Sequence, residues 1–220
     1  MKQSLRTARE FISENGLFVF VDEVTERFLQ IARNKLLFPR LRAQGLRVGP
    51  QSRIRGLAHI RIGRGFHAGR GLWLDAVTRY RNQRFSPKII IGNSVFMSNW
   101  VHVSATSRIE IGDHCLFGSN IFISDHTHGS YGEFTELPDV PPAERPLGIG
   151  NHVLIRDRVF LGDGVVILPG ITIGTGSVIG ANSVVSRDIP SHVIAVGAPA
   201  TPLKEYNFER GIWQRIDQKS

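Results

Sequence analysis

A six-residue rhythm runs through most of the second half of this 220-residue chain and restricts its fold more than any local propensity does. From Ile149 an aliphatic side chain returns at Ile155, Leu161, Ile167, Ile173, Ile179 and Val185. Glycine follows several of them, at Gly150, Gly162, Gly174 and Gly180. Four positions after each aliphatic stands a residue of modest size: Val153, Val159, Val165, Ile171, Ser177, Ser183 and Ile189. A short fixed period marks a stacked repeat. Three units make a turn of about eighteen residues, and such turns pile into a parallel β-helix, an all-β solenoid.

The rhythm extends upstream through Ile111, Phe117 and Ile123, through Ile91, Met97 and Val103, and through Ile62, Ala68 and Leu74, with Val48 and Ile54 at its start. Each unit reads as a short strand and a corner. The large apolar residue fills the axis, and the small residue behind it lets the backbone pass close to its neighbour. Three interruptions break the register: residues 79–90, two extra residues (Ile109 and Glu110) before Ile111, and a Gly-, Pro- and acid-rich excursion over about 129–148. Long excursions from a repeat gather on one face and often carry function.

The remaining segments read differently. Residues 1–47 form a partly helical extension: Phe11, Phe18, Val21, Val24, Phe28, Ile31 and Leu36 have helical spacing, and Arg33, Lys35, Arg40, Arg42 and Arg47 are basic. That extension suits either a cap on the open end of the solenoid or contact with a membrane surface. Residues 48–200 are the solenoid domain. Residues 201–220 form a tail whose Tyr206, Phe208, Trp213 and Ile216 suggest a short C-terminal helix. The single cysteine, Cys115, excludes an internal disulfide and a cysteine-based metal cluster, which fits a reducing, cytoplasmic setting. No signal peptide is apparent, and no stretch approaches the length of a spanning helix. A net charge of +8 fits a basic solvated surface or attraction to a polyanion: a phosphorylated cofactor, an acidic sugar polymer, nucleic acid or an anionic lipid. Charge alone does not choose among these, and nucleic acid is not the expected partner.

The stretch from Leu147 to Ala200 closely resembles the hexapeptide-repeat acyltransferases: ILPG, ITIG and SVIGANSVV match their last coils, SRDIP the end of those coils, and VGAPA the exit. CLFGSNIFISDHTHG, with the loop ending ERPLGIG, resembles the maltose and galactoside acetyltransferases and the O-acetyltransferases of bacterial surface polysaccharides. Serine acetyltransferases are a poorer match, because their long helical N-terminal domain has no room here. The resemblance implies a left-handed winding, against the usual crossover hand. It also implies a homotrimer with sites between subunits and acetyl-CoA as co-substrate, with no metal.

Transfer of an acetyl group to a sugar hydroxyl needs a base, and neutral histidine suits that task. The resemblance puts His128 in the catalytic place, with His126 as competitor and Asp125 to orient a ring. It implies that Asn99 binds the acceptor, and Trp100 beside it offers a face for a sugar. Gly162, Gly180 and Ala181 would line a pantetheine groove, Arg187 and Lys204 would meet phosphates, and Pro199 would pack on adenine. One departure from the family stands at Val153-Leu154-Ile155-Arg156, where an aromatic and a glycine are usual. The expected activity is O-acetylation of a bacterial surface polysaccharide or its precursor, at the inner face of the membrane or free in the cytoplasm. The alternatives are a nucleotide-sugar N-acetyltransferase, a gamma-class carbonic-anhydrase-like zinc enzyme and a trimeric scaffold without activity.

Overall fold

In the computed structural model the described residues are 10–41, 43–131, 138–148 and 152–216, with some helical side chains between 23 and 40 left aside. Ile149 and Gly150 of the rhythm, Arg42, and the middle of the long excursion lie outside the described residues. So do residues 1–9 and 217–220, the ends of the two terminal segments.

The hexads wind into a three-faced coil. Arg47–Val48, His67–Ala68, Phe96–Met97, Leu116–Phe117, Phe160–Leu161, Val178–Ile179 and Val193–Val196 lie side by side on the first face. The second carries Arg53–Arg55, Trp73–Ala76, His102–Ala105, Phe122–Ser124, Val166–Ile167 and Val184–Val185. The third carries Ile60–Ile62, Lys88–Ile91, Arg108–Ile111, Val153–Ile155 and Thr172–Ile173. The strands within each face are parallel, as in Phe117 beside Leu161 and Ile123 beside Ile167. The residues read as axis-filling point inward: Ile62, Leu74, Ile91, Met97, Val103, Ile111, Phe117, Ile123, Ile155, Leu161, Ile167, Ile173, Ile179 and Val185 are all buried. Each fully buried Leu or Ile contributes about 1.5–3 kcal/mol. The modest residues between them, from Val153 to Ile189, are buried as well.

Corner spacing shows where function can be built. The inward residues of the first and second faces stand six apart in every coil, from Val48 and Ile54 to Ile179 and Val185. The step from third face back to first is also six throughout, as in Ile111 to Phe117. Every excess falls between the second and third faces: Ile54 to Ile62, Leu74 to Ile91, Val103 to Ile111 and Ile123 to Ile155. These excesses hold a 3-10 turn at Leu57–His59, a hairpin of Arg79–Tyr80 and Gln83–Arg84, a corner at Thr106 and Ser107, and the long excursion. Ile109 and Glu110 therefore belong to a regular strand, Arg108–Ile111, and the two extra residues before it are the corner itself. Four irregular segments thus stack on one edge. Their close fit leaves no room for larger groups: a Cβ at Gly56, whose φ is 71°, would stand 2.5 Å from the carbonyl oxygen of Ala76.

The C-terminal tail corrects one expectation. It is not helical: Thr201–Asn207 adds antiparallel to Val193–Val196, and Ile212–Arg215 adds to it in turn. The end of the first face offers a row of unpaired backbone groups, and a strand satisfies them where a helix would not. Gly211, at φ 65°, closes the turn. Tyr206, Phe208 and Trp213, whose spacing suggested a helix, instead meet edge to face beside His192.

At the other end the helix Leu17–Leu41 delivers Leu41, Ala43 and Leu46 into the core of the first coil. The rest of the helix stands off. Glu26 pairs with Arg70 at 2.6 Å, so its polar side faces the coil. Leu17, Phe18, Val21, Val24, Phe28, Leu29, Ile31 and Leu36 stay exposed.

Candidate functional site

The stacked irregular edge encloses a cleft of about 430 Å³. Arg55 and Gly56 from the first coil, Asp75 to Tyr80 from the second, and His126, His128 and Leu147 from the fourth line it. Its volume lies in the range of small-ligand sites.

Its chemistry centres on Asp125. The second-face strand ends at Ser124, so side-chain alternation stops there, and the next residue turns back under the preceding coil. Asp125 is 1% exposed. One carboxylate oxygen accepts the backbone amide of Thr106 at 2.8 Å and its hydroxyl at 3.1 Å, and the other accepts the amide of Ser107 at 2.7 Å. The two-residue excess of the third coil is therefore wrapped around this carboxylate. Burial pushes the Asp125 carboxyl up, but hydrogen bonds from His126, Thr106 and Ser107 more than offset it and hold it below the ordinary carboxylate range.

His126 lies against it, with Nδ1 2.9 Å from Asp125 Oδ1. An ionised carboxylate only accepts, so the proton sits on Nδ1 and Nε2 keeps its lone pair. The hydroxyl of Ser124 donates to the His126 carbonyl at 2.8 Å and accepts its backbone amide at 3.2 Å, which fixes the turn. The ring is held yet borders the cleft, its side chain 11% exposed.

His128 is exposed, and among the described residues no carboxylate lies within ion-pair distance of it. Its Nδ1 is 3.3 Å from the Tyr80 hydroxyl, and the rings meet edge to face at 5.4 Å. Tyr80 donates to the carbonyl of Ala143 at 2.9 Å, and Arg81 to the same oxygen at 3.0 Å. Gln83 donates to the Leu147 carbonyl at 3.1 Å and accepts its amide at 2.7 Å. The hairpin of the second coil thus grips the excursion of the fourth. Sequence reasoning missed Tyr80, Gln83 and the Thr106–Ser107 cradle. The only signal for them was that the rhythm broke at those places.

The other predicted residues lie elsewhere. Asn99, Trp100, Gly162, Gly180 and Ala181 sit on the edge between the first and second faces, one coil after another. The Asn99 side chain accepts the Arg70 amide at 2.9 Å, and Trp100, at φ 59°, is half exposed and covers Gly71. A Cβ on Gly162 would come within 2.6 Å of the Ala181 nitrogen, so coil stacking alone demands glycine there. Ala181 and Pro199 are exposed, and Pro199 follows a cis bond in the turn beyond the last coil. Lys204 is half buried on the added strand Thr201–Asn207. Arg187 returns to the irregular edge, exposed, two coils beyond His126. Arg156, the departure from the family pattern, is exposed on the edge between third and first faces and does not line the cleft. One chain therefore brings Asp125, His126 and His128 together and keeps them apart from Asn99, Trp100 and the small-residue row by the full width of the second face.

Burial pushes the Cys115 thiol up to about 11, which leaves it unreactive. Among the described residues no group of three His, Cys, Asp or Glu side chains is placed to hold a metal ion. No helix among them is long and apolar enough to cross a membrane.

Comparison with known proteins gives the arrangement a family. Residues 149–187 match the model of the bacterial transferase hexapeptide (six repeats). A protein of Escherichia coli K12 described as a putative lipopolysaccharide biosynthesis O-acetyl transferase, WbbJ, is 38% identical over 164 residues, 74% of this chain and 80% of that protein. A hexapeptide-repeat acetyltransferase of Vibrio cholerae, solved with acetyl coenzyme A, is 25% identical with a TM-score of 0.50, over 80% of this chain and 78% of its own. The N-acyltransferase AntD of Bacillus cereus, solved with dTDP and 3-hydroxybutyryl-CoA, shares the fold at 18% identity and a TM-score of 0.59, over 76% and 84%. The 38% identity to the Escherichia coli relative, over 80% of its length, and a rhythm that winds into three parallel faces have one common meaning: this chain belongs to the hexapeptide-repeat acyltransferases.

Proposed function

We propose that this protein moves an acetyl group from acetyl-CoA to a sugar hydroxyl of a bacterial surface polysaccharide or its precursor, in a left-handed homotrimer. The name of the Escherichia coli relative supports the acceptor class, and the acetyl-CoA in the Vibrio structure supports the donor. The observation that carries the reading is the Asp125–His126 pair open to a cleft of ligand size.

His126 is the base. Its Nε2 takes the hydroxyl proton while the hydroxyl oxygen attacks the thioester carbonyl. Asp125 stabilises the imidazolium, backbone amides stabilise the oxyanion, and the thiolate of CoA leaves with that proton. His128, the favoured candidate of the sequence, becomes an acceptor-positioning group through Tyr80.

The separation of the two edges supports the trimeric reading. A second chain must bring its small-residue edge to the His126 edge of the first, and closed rotational symmetry does this at every interface. The outward row of the intervening face suits such packing: Trp73, His102, Phe122, Val166 and Val184 stand in register, with Trp73 and His102 stacked at 4.0 Å. Acetyl-CoA then lies between Ala181 and Pro199 of one chain and His126 of the next, with Arg187 and Lys204 near its phosphates. Mixing tests this. His126→Ala chains and Ala181→Trp chains, each inactive alone, should recover about a quarter of wild-type activity when refolded together in equal amounts, because about one interface in four joins two intact edges. No recovery would mean that each site lies within one chain.

The N-terminal helix adds a peripheral contact with an anionic bilayer. Its apolar side faces away from the coil, and residues 1–108 carry 19 Lys and Arg against 6 Asp and Glu, whereas 109–220 carry 8 against 13. Apolar surface plus like-signed charge on one end is what binds an interface. The protein should float with phosphatidylglycerol vesicles and not with phosphatidylcholine ones, and Phe18→Asp with Phe28→Asp should abolish flotation. If that variant instead falls apart into monomers, the helix covers a neighbouring chain.

A further inference from the structure

A second cavity, of about 290 Å³, opens on the third face, lined by Ala58, His59, Arg61, Lys88, Ile90 and Arg108. Strand register gathers its cations. Lys88 lies beside Arg108, and Arg61 beside Ile90, so the three cations occupy three adjacent strands, about 10 Å across. Arg108 is shared with Glu110. Among the described residues neither Arg61 nor Lys88 has a carboxylate within ion-pair distance. Like charges gathered in a concave site repel one another, and an anion that enters it is correspondingly favoured.

The position of this pocket gives it meaning. Gly56 lines the cleft of His126, and Ala58 and His59 line the basic pocket, so a single 3-10 turn, about 6 Å long, separates the two. A ligand of modest size reaches from one to the other.

We propose that this pocket is a phosphate subsite for the acceptor, and that the acceptor is a glycosyl diphosphate: the sugar enters the cleft of His126, and the diphosphate on its anomeric carbon is held by Arg61, Lys88 and Arg108. The inference rests on the acetyl-transfer reading above. Guanidinium forks match phosphate oxygens in pairs, and the ammonium of Lys88 adds a point charge. A neutral glycoside leaves these cations unmatched, so the pocket sorts acceptors by charge. Glycosyl diphosphates come in two forms, on a nucleoside or on a polyprenyl chain. Both present the same group to this pocket.

Inorganic pyrophosphate tests the subsite on the whole protein at saturating acetyl-CoA, where the phosphate contacts of the donor are already occupied. It should inhibit competitively against the acceptor, and its inhibition constant should rise at least tenfold in Arg61→Gln/Lys88→Gln. Both side chains are exposed, so the fold should tolerate the change, checked by an unaltered melting temperature. In that variant KM for a nucleoside diphosphate sugar and for a short-prenyl diphosphate sugar should rise at least tenfold with kcat kept, and KM for the methyl glycoside of the same sugar should not move. Whichever diphosphate has the lower KM in the unaltered protein identifies the source. Equal inhibition of both proteins by pyrophosphate, or a parallel rise for the methyl glycoside, overturns the subsite. His126→Ala tests the acetyl-transfer reading separately: if it abolishes turnover while the pocket variant changes nothing, only the subsite falls.

Discussion

His126→Ala is expected to lower turnover by about 10²–10⁴-fold, the usual worth of a positioned general base. KM for acetyl-CoA should stay within a few-fold, because the ring takes part in proton transfer and not in holding the donor. The thiol released from acetyl-CoA, followed by disulfide exchange with a chromogenic reagent, measures both. His128→Ala is the necessary companion. Its ring touches Tyr80 and, among the described residues, has no carboxylate behind it, so its loss should raise KM for the acceptor more than it lowers kcat. The assignment depends on a specific difference between the two rings. Among the described residues, of the two rings only that of His126 has a carboxylate at its Nδ1, and in the proposed role that carboxylate would stabilise the imidazolium once Nε2 has taken a proton. If His128→Ala suffers the larger loss of kcat and His126→Ala keeps near-normal turnover, the roles are reversed.

The difference between the two rings shows what a repeat pattern encodes. The rhythm encodes burial, because each inward position must fit a narrow axis. Phe117, Leu161 and Ile173 could therefore be identified from spacing alone, and each is fully buried. The same rhythm says less past the end of a strand. His128 is exposed and lines the cleft, but the strand stops at Ser124, and spacing does not show that Asp125 turns back to meet Thr106 and Ser107. That meeting pairs residues 18 and 19 apart in sequence, one coil below the other, and no local pattern announces it.

The breaks in the rhythm were visible, yet their common location was not. The breaks around Gly56 and Thr106 are short and equal, and those around Tyr80 and His126 are much longer. Only the three-faced winding shows that all fall on one edge and that the hairpin holds the excursion through Gln83 and Leu147. The tail failed for a different reason. Tyr206, Phe208, Trp213 and Ile216 fit a short helix about as well as two strands when taken alone. The unpaired edge of Val193–Val196 decides between them, and that edge is a property of the finished sheet.

Asp125 joins fold and chemistry, and its removal should damage both. In Asp125→Ala the amide and hydroxyl of Thr106 lose their acceptor in a buried site, and the amide of Ser107 loses its own in a part-buried one. Buried donors left without partners cost about 1–3 kcal/mol each, so the two on Thr106 alone should cost the variant about 2–6 kcal/mol of stability at pH 7, read from the guanidinium midpoint. Asp125→Asn should lose less, since one oxygen remains, but its NH₂ must face either the Ser107 amide or the Nδ1 proton of His126, donor against donor. Turnover should fall in Asp125→Asn as well, because the imidazolium loses its counter-charge. Acid separates this account from simple loss of packing. The folded carboxyl titrates below its unfolded value of about 3.9, so the stability it contributes is present above that pH and disappears as pH falls through the lowered folded value. The part of the gap between the unaltered protein and Asp125→Asn that the carboxylate contributes should therefore be fully present at about pH 5 and narrow below about 3.9. A gap that stays the same through that acid range would mean that Asp125 acts by shape alone, and the charged cradle beneath His126 would have to be abandoned.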